Sequence, residues 1–104
     1  MIVELTATAN VSSLSVGRPY TVLGIEADWY RILDDAGEPC LYDPLAFTIV
    51  DSPEPEFWNT ERGDDGERYA YPPEWNRPGY FEDWHDNVPS VRESFKLVLE
   101  TRFT

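Results

Sequence analysis

The chain has 104 residues, of which 41% are hydrophobic and 14% aromatic, enough apolar material for one domain with its own core. Its formal net charge of −12 repels nucleic-acid phosphates and anionic lipid headgroups, which argues against nucleic-acid or membrane binding. A single cysteine excludes an intramolecular disulfide, and no apolar run approaches the roughly 20 residues of a membrane span. We therefore predict a single cytoplasmic domain over residues 1–104.

Strands are predicted from the N-terminus onward. Residues 1–9 are rich in β-branched side chains, which fit a pleated surface. After a polar loop, Pro19 keeps the preceding residue out of helical geometry, and a second strand is predicted over residues 20–26. Side chains alternate along a strand, so Leu23 and Ile25 are expected to share the core side.

Three more strands are predicted between residues 29 and 50, separated by turn residues. The run Asp34-Asp35-Ala36-Gly37 is typical of a hairpin turn, since Asp tolerates turn geometry and Gly supplies a positive φ. Pro44 suits the first position of one tight helical turn before the last strand. Five short strands in this layout predict a small SH3-like antiparallel barrel over residues 1–51. The three strands are residues 29–33, 39–42 and 47–50, and Ile32 and Phe47 are expected in the core.

Several segments carry a family resemblance: G-R-P-Y-T-V-L-G-I-E, Y-R-I-L-D-D-A-G-E-P, L-Y-D-P, F-T-I-V-D, Y-A-Y-P-P-E and P-G-Y-F-E-D-W-H-D. They resemble a loose group of small acidic bacterial SH3-like proteins of uncharacterised function, over most of the chain from Gly17 onward. Some proteins of this group are thought to act beside bacterial toxin systems as immunity or accessory proteins. The resemblance therefore implies a fold and a direction for function, and no catalytic motif accompanies it.

Residues 52–89 are predicted to form an ordered extension that wraps the barrel as a loop. Five prolines between residues 51 and 79 disfavour regular structure, whereas aromatic residues such as Phe57 and Trp58 are not expected of a disordered linker. The run Gly63-Asp64-Asp65-Gly66 indicates the tip of a turn or hairpin. From residue 51 to residue 86, eleven carboxylates accompany three arginines, a net charge of −8. This charge indicates either an acidic binding face or a surface that keeps the protein soluble.

The C-terminal segment fits two patterns. Ser90 and Glu93 have the spacing of a capping box, and the apolar residues from Val91 to Leu99 fall on one helical face. Alternation of apolar and charged residues after Phe95 would instead suit a half-buried strand. We predict a helix over residues 90–102, because Pro89 and the cap mark a clear start.

His85, the only histidine, lies among Glu82, Asp83 and Asp86, a mixture that could bind a metal ion or transfer a proton. No H-x-x-x-H, C-x-x-C or calcium-loop spacing supports a metal site, and consecutive acids more often precede a helix for its dipole. Cys40 could act as a nucleophile only if His85 lay beside it, and its apolar neighbours indicate an inert thiol. We therefore predict no catalytic residue, no metal and no cofactor.

A set of aromatic residues interleaved with prolines and acids is the better functional clue. Tyr and Trp dominate binding hot spots because they bury large areas at low entropic cost. The alternative is that the same rings cover the barrel as a second core, since a small barrel exposes much apolar surface. The predicted binding residues are Tyr69, Tyr71, Trp75, Tyr80, Phe81, Trp84, Glu82, Asp83 and Asp86.

Two functional hypotheses follow from these residues. The first is a non-enzymatic protein-binding module, of the immunity type that the resemblance implies, that recognises a basic protein partner through aromatic residues rimmed with carboxylates. The second is a small enzyme or metal-binding protein centred on His85 and the carboxylates around it. Copurification of a basic protein would favour the first hypothesis, and the oligomeric state is left open by the sequence.

Overall fold

A computed structural model describes residues 1–7, 9 and 11–103 of the chain. These residues form seven antiparallel strands, two α-helices and two short 3₁₀ turns, which confirms the mainly β prediction. The strands are β1 Ile2–Leu5, β2 Pro19–Glu26, β3 Trp29–Leu33, β4 Pro39–Tyr42, β5 Phe47–Asp51, β6 Asn59–Arg62 and β7 Arg68–Tyr71, the helices are α1 Tyr80–His85 and α2 Pro89–Arg102, and the 3₁₀ turns are Pro44–Ala46 and Pro73–Trp75.

The sheet is open rather than a closed barrel. Its main path has the order β4-β3-β2-β1-β5, and β4 and β5, at its two ends, do not pair with each other in the described part of the chain. The second half of β2 also pairs with β7 through Ile25 and Ala70, so the β6–β7 hairpin extends the sheet beside β1. The five predicted strands and the tight turn before β5 are confirmed, whereas closure of the barrel is not observed.

A bulge in β2 places Leu23 and Ile25, which were expected to share one face of the sheet, on opposite faces. The β2–β3 register shifts between Val22 and Gly24, and a bulge reverses the alternation of side chains beyond it. Ile25 consequently faces the same side as Val22, in the first core, while Leu23 faces the helices on the other side. Ile25 therefore lies in the core for which it was predicted. Leu23 is only 3% exposed, but it lies in a second core, between the sheet and the helices, and not in the core for which it was predicted.

The first core contains the buried side chains on one face of the sheet. Ile32 is fully buried there, as predicted, and Phe47 packs against its margin while remaining partly exposed. Tyr30 stacks obliquely on Phe47, with ring centroids 5.9 Å apart. The core continues through Val3, Leu5, Leu14, Tyr20, Val22, Ile25, Trp58 and Ala70.

The segment 52–89 contains more regular structure than its prolines indicate. The predicted turn at residues 63–66 is confirmed as the tip of a hairpin, closed by a 2.8 Å hydrogen bond from Gly63 N to Glu67 O. The prediction of an irregular loop was otherwise wrong, because the prolines lie outside β6 and β7. Pro73 begins a 3₁₀ turn instead, where its fixed φ is favourable.

Helix α2 confirms the helical prediction for the C-terminus and excludes the strand alternative. Val91, Phe95 and Val98 are its buried residues, at the spacing expected of one helical face. The predicted capping box was wrong: Pro89 occupies the first turn and Val88 is the N-cap, without a capping side chain. Within the described residues, no helix is long and apolar enough to cross a membrane.

Candidate functional site

An acidic groove of about 360 Å³ lies where the β6–β7 hairpin meets the segment leading into α1. Its lining includes three carboxylates from distant parts of the chain: Glu26 at the end of β2, Glu61 on β6 and Glu82 on α1. One side of the groove is formed by residues 76–79, which contain Arg77. We refer to this concavity as the acidic groove.

A second, adjoining groove of about 440 Å³ runs along α1 as far as Asp86. It shares Glu26, Phe81 and Glu82 with the acidic groove and adds Arg31, His85 and Asp86. The two concavities therefore form one continuous recessed surface beside α1.

Most of the predicted binding residues meet at these grooves. Seven of the nine line one groove or both, and the exceptions are Asp83 and Trp84. Asp83 forms a 2.8 Å ion pair with Arg77. Trp84 packs against Arg92, whose guanidinium lies 4.0 Å from the centroid of the Trp84 ring. The seven are Tyr69, Tyr71, Trp75, Tyr80, Phe81, Glu82 and Asp86.

The aromatic rings among the predicted binding residues are mostly buried in a core. Five of the six belong to a second core between the sheet and the helices, and only Tyr69 is half-buried. Trp75, at 1% exposed, and Trp84, at 7%, are not available as protruding anchors. The predicted role of these residues in binding stays a prediction.

A buried hydrogen-bond network supports the floor of both grooves. Arg31 is 5% exposed and donates from Nε to the Tyr71 hydroxyl at 3.0 Å, from Nη2 to Glu26 Oε1 at 3.0 Å, and from Nη1 to the Pro39 carbonyl at 2.9 Å. Its guanidinium also lies 4.0 Å from the centroid of the Phe81 ring. The charge of Arg31 is thereby compensated within the protein.

Tyr71 completes the network as a neutral phenol. Its hydroxyl donates to Glu26 Oε1 at 3.0 Å while accepting from Arg31. Burial raises the pKa of Tyr71 well above its ordinary value, so the hydroxyl keeps its proton at neutral pH. The negative charge of Glu26 is therefore compensated within the protein, by the Arg31 guanidinium and the Tyr71 hydroxyl.

The other two carboxylates of the acidic groove are not compensated. Glu61 and Glu82 are exposed, and neither makes an ion pair or a side-chain hydrogen bond with any residue in the described ranges. Arg77, the cation on the groove wall, is already paired with Asp83. The groove consequently presents uncompensated negative charge to the solvent.

Sequence reasoning missed Glu26, Glu61 and Arg31. They lie on β2, β6 and β3, and only the folded sheet places them beside the helix. The alternation in β2 would have placed Glu26 opposite Ile25, but nothing local indicated that β6 would bring Glu61 to the same surface. The fold alone assembles this site.

Neither a metal-binding cluster nor a hydrogen bond joins His85 to Cys40 among the described residues. Among the described residues, the one group that could converge on a metal is Asp34, Glu38 and Cys40, which lacks His85. Asp34 Oδ1 already accepts hydrogen bonds of 2.9 Å from the amides of Ala36 and Glu38, which fixes the β3–β4 turn. Burial raises the pKa of the Cys40 thiol, so the thiolate needed for nucleophilic attack is disfavoured.

His85→Ala should change stability little and remove no metal. The exposed imidazole packs edge-on against Trp84 and forms one 3.2 Å hydrogen bond from Nε2 to the Pro39 carbonyl, a contact whose loss costs at most about 1 kcal/mol. Urea unfolding with elemental analysis measures both quantities. Stoichiometric metal in the wild type that disappears in His85→Ala would overturn this expectation.

No known protein family, curated protein or solved structure shows significant similarity to this chain.

Proposed function

We propose that this protein is a non-enzymatic binding module that recognises a basic protein partner through the acidic groove, in an immunity or accessory role. The observation that carries the proposal is the uncompensated charge of Glu61 and Glu82 in a recess of about 360 Å³. A cationic partner would supply the missing compensation.

The charge of the whole molecule supports the same conclusion. The chain has twenty acidic residues but eight basic ones, and six of the basic residues are engaged in internal ion pairs. The remaining two, Arg62 and Arg92, donate hydrogen bonds to the carbonyls of Gly66 and Trp84. The protein therefore has little cationic surface with which to attract an acidic partner, and its field favours a basic one.

The strand order is compatible with the resemblance on which the immunity role depends. The path β4-β3-β2-β1-β5, with a 3₁₀ turn before β5, supports an SH3-like relationship for residues 1–51. The hairpin, α1 and α2 are then additions that build the groove on one face of this sheet.

Charge and packing should contribute separately to such a complex. Carboxylates on the rim act mainly on the association rate, whereas buried contacts act on dissociation. Because Trp75 and Trp84 are buried in the free protein, their replacement would act through stability and cannot test the contact surface directly. Glu61 and Glu82 are exposed and can be changed without disturbing the core.

The test is the ionic-strength dependence of association with a basic protein that copurifies with this chain. We expect association to slow as salt rises, with little change in dissociation, and the double variant Glu61→Gln/Glu82→Gln to associate roughly 2- to 10-fold more slowly at low salt. Stopped-flow or surface-based kinetics measure both rates.

A charge-matched control distinguishes the groove from the overall field. Asp51→Asn/Glu93→Gln removes the same number of charges at exposed positions that line neither groove. It should slow association less than the groove variant does. An association rate that ignores ionic strength, or equal effects of the two double variants, would contradict recognition through the acidic groove.

The alternative of a small enzyme or metal-binding protein centred on His85 gains no support from the described residues. The imidazole bonds to a backbone carbonyl and packs against the Trp84 ring, and no ion pair or hydrogen bond joins it to a carboxylate among the described residues. We therefore retain the binding module as the proposal.

A further inference from the structure

Strand β5 is an edge of the sheet, because it pairs only with β1 in the described part of the chain. Backbone groups alternate along an antiparallel strand, so every second residue directs its N–H and C=O away from the neighbouring strand. The hydrogen bond of 2.9 Å from Thr6 N to Ala46 O shows that Ala46 faces β1. Ile49, three residues further along in the same register, therefore directs both backbone groups outward, where no described residue bonds to them.

The side chains at this edge are exposed and apolar. Six large hydrophobic side chains of the described residues are exposed, and three of them belong to β5 or to the 3₁₀ turn before it: Leu45 at 89%, Ile49 at 50% and Val50 at 54%. Natural edge strands usually carry charges, prolines or a covering element, because a bare edge pairs readily with another chain. Residues 47–50 carry neither a charge nor a proline.

The other two edges of the sheet, β4 and β6, are protected. β4 begins with Pro39, whose carbonyl is bonded by Arg31 at 2.9 Å and by His85 of α1 at 3.2 Å. β6 is polar throughout and ends in Glu61 and Arg62. Of the three edges, β5 is therefore the one suited to receive a further strand.

Charge indicates which kind of strand this edge attracts. Asp43, which caps the turn before β5, and Asp51, its last residue, are both exposed, and neither forms an ion pair with any residue in the described ranges. Glu4, opposite Thr48 on β1, forms none either. A second copy of this chain would bring its own charge of −12 to the edge, which like-charge repulsion opposes. A cationic segment is attracted by the same field.

We propose that the outer edge of β5 binds an extended, positively charged segment of a partner protein, which adds a strand to the sheet through the backbone of Ile49. Main-chain hydrogen bonds give such a contact its affinity, and basic residues at the two ends of the segment face Asp43 and Asp51. No residue of β5 is among those lining the two grooves. This contact is therefore separate from the acidic groove and goes beyond the proposed function.

A short peptide with a cation at each end tests the proposal. The probe is acetyl-Lys-Thr-Val-Thr-Val-Thr-Lys-amide, whose central residues favour a strand. In a proton–nitrogen NMR titration, the Ile49 amide should shift in a saturable manner and become protected from hydrogen exchange. The control peptide acetyl-Lys-Thr-Val-Pro-Val-Thr-Lys-amide has the same charge but a proline in its centre, and it should bind at least about 10-fold more weakly.

Variants of β5 test the role of the backbone. Ile49→Pro removes the outward N–H and suits an edge strand, because that N–H makes no bond to β1. It should weaken the first peptide at least about 10-fold. Ile49→Ala, which shortens the same side chain but keeps the N–H, should weaken it less. Urea unfolding checks that both variants fold, and the comparison of the two peptides on the wild type decides the proposal if Ile49→Pro does not.

Variants of charge test the choice of a cationic segment. Asp51→Asn should weaken the first peptide roughly 1.5- to 5-fold, as expected for an exposed ion pair, whereas Glu93→Gln on α2 should leave its binding unchanged. Binding should also weaken as salt rises.

Three results would overturn the proposal: an Ile49 amide that does not shift, equal binding of the two peptides, or equal binding by folded Ile49→Pro and Ile49→Ala. A dimer that becomes stronger as salt rises and is abolished by Ile49→Pro would also overturn it, because the strand received at β5 would then come from a second copy of this chain. Sedimentation at low and high salt measures that association.

Discussion

Trp75→Ala should lower the free energy of unfolding by about 3 to 5 kcal/mol, the cost of removing a large aromatic side chain from a packed core. Trp75 is among the largest fully buried side chains, and its ring contacts Phe81, Phe95 and Phe103. These contacts join the 3₁₀ turn Pro73–Trp75 to α1 and to α2 with the residue that follows it. A loss of this size is a large share of the 5 to 15 kcal/mol of a typical domain.

Trp29→Ala is the matched control for that change. Trp29 is 46% exposed on β3, so the same loss of an indole should cost less than about 1 kcal/mol. Urea unfolding followed by circular dichroism measures both variants. If Trp75→Ala cost no more than Trp29→Ala, the second core would not hold the helices to the sheet. Trp75→Phe, which keeps part of the ring packing, should fall between the two.

The structure shows why this core could be anticipated only in outline. Clustered aromatic residues among prolines indicated either a binding surface or a second core, and burial shows that five of the six rings are core residues. The decisive factor was α1, which places Tyr80, Phe81 and Trp84 against the sheet. A helix of six residues is too short to produce a periodic signal in the sequence.

Strands and turns were easier to predict because their signals are local. The β3–β4 hairpin follows from Asp34 to Gly37, and Gly37 has the positive φ, +82°, that the turn required. The bulge in β2 depends instead on the register with β3, which no local pattern contains. For that reason Leu23 was assigned to the wrong core although its burial was anticipated.

The acidic groove lay beyond sequence reasoning for the same physical reason. Glu26, Glu61 and Glu82 are separated by 35 and 21 residues along the chain, and the pairing of β7 with β2 brings them to one recess. Net charge indicated that an acidic surface would exist. Which carboxylates would lack a cation depended on the ion pairs of Arg31 and Arg77, which only the folded structure shows.

Gly24→Ala should destabilise the protein by about 1 to 3 kcal/mol, the usual cost of forcing an extra methyl group into a well-packed site. An added Cβ would overlap Cδ1 and Cε1 of the Tyr71 ring and would lie 2.9 Å from the Ala70 carbonyl oxygen. The ring cannot move aside freely, because its hydroxyl is bonded to both Arg31 and Glu26. The backbone oxygen can withdraw only if β7 separates from β2.

A double-mutant cycle tests whether Tyr71 is the cause of that loss. Tyr71→Ala should itself be destabilising, but in its presence Gly24→Ala should cost less, with a coupling energy of about 0.5 to 3 kcal/mol by urea unfolding. Gly63→Ala is the matched control, since the atoms nearest its new methyl group belong to the Glu67 carboxylate, the end of a flexible side chain whose hydrogen bond to the Asp65 amide is exposed and can be replaced by water. Additive effects of Gly24→Ala and Tyr71→Ala would show that the ring does not restrict residue 24. A coupled pair would instead show that the Tyr71 ring restricts residue 24, and the hydroxyl of the same ring accepts from Arg31 and donates to Glu26 at the floor of the grooves.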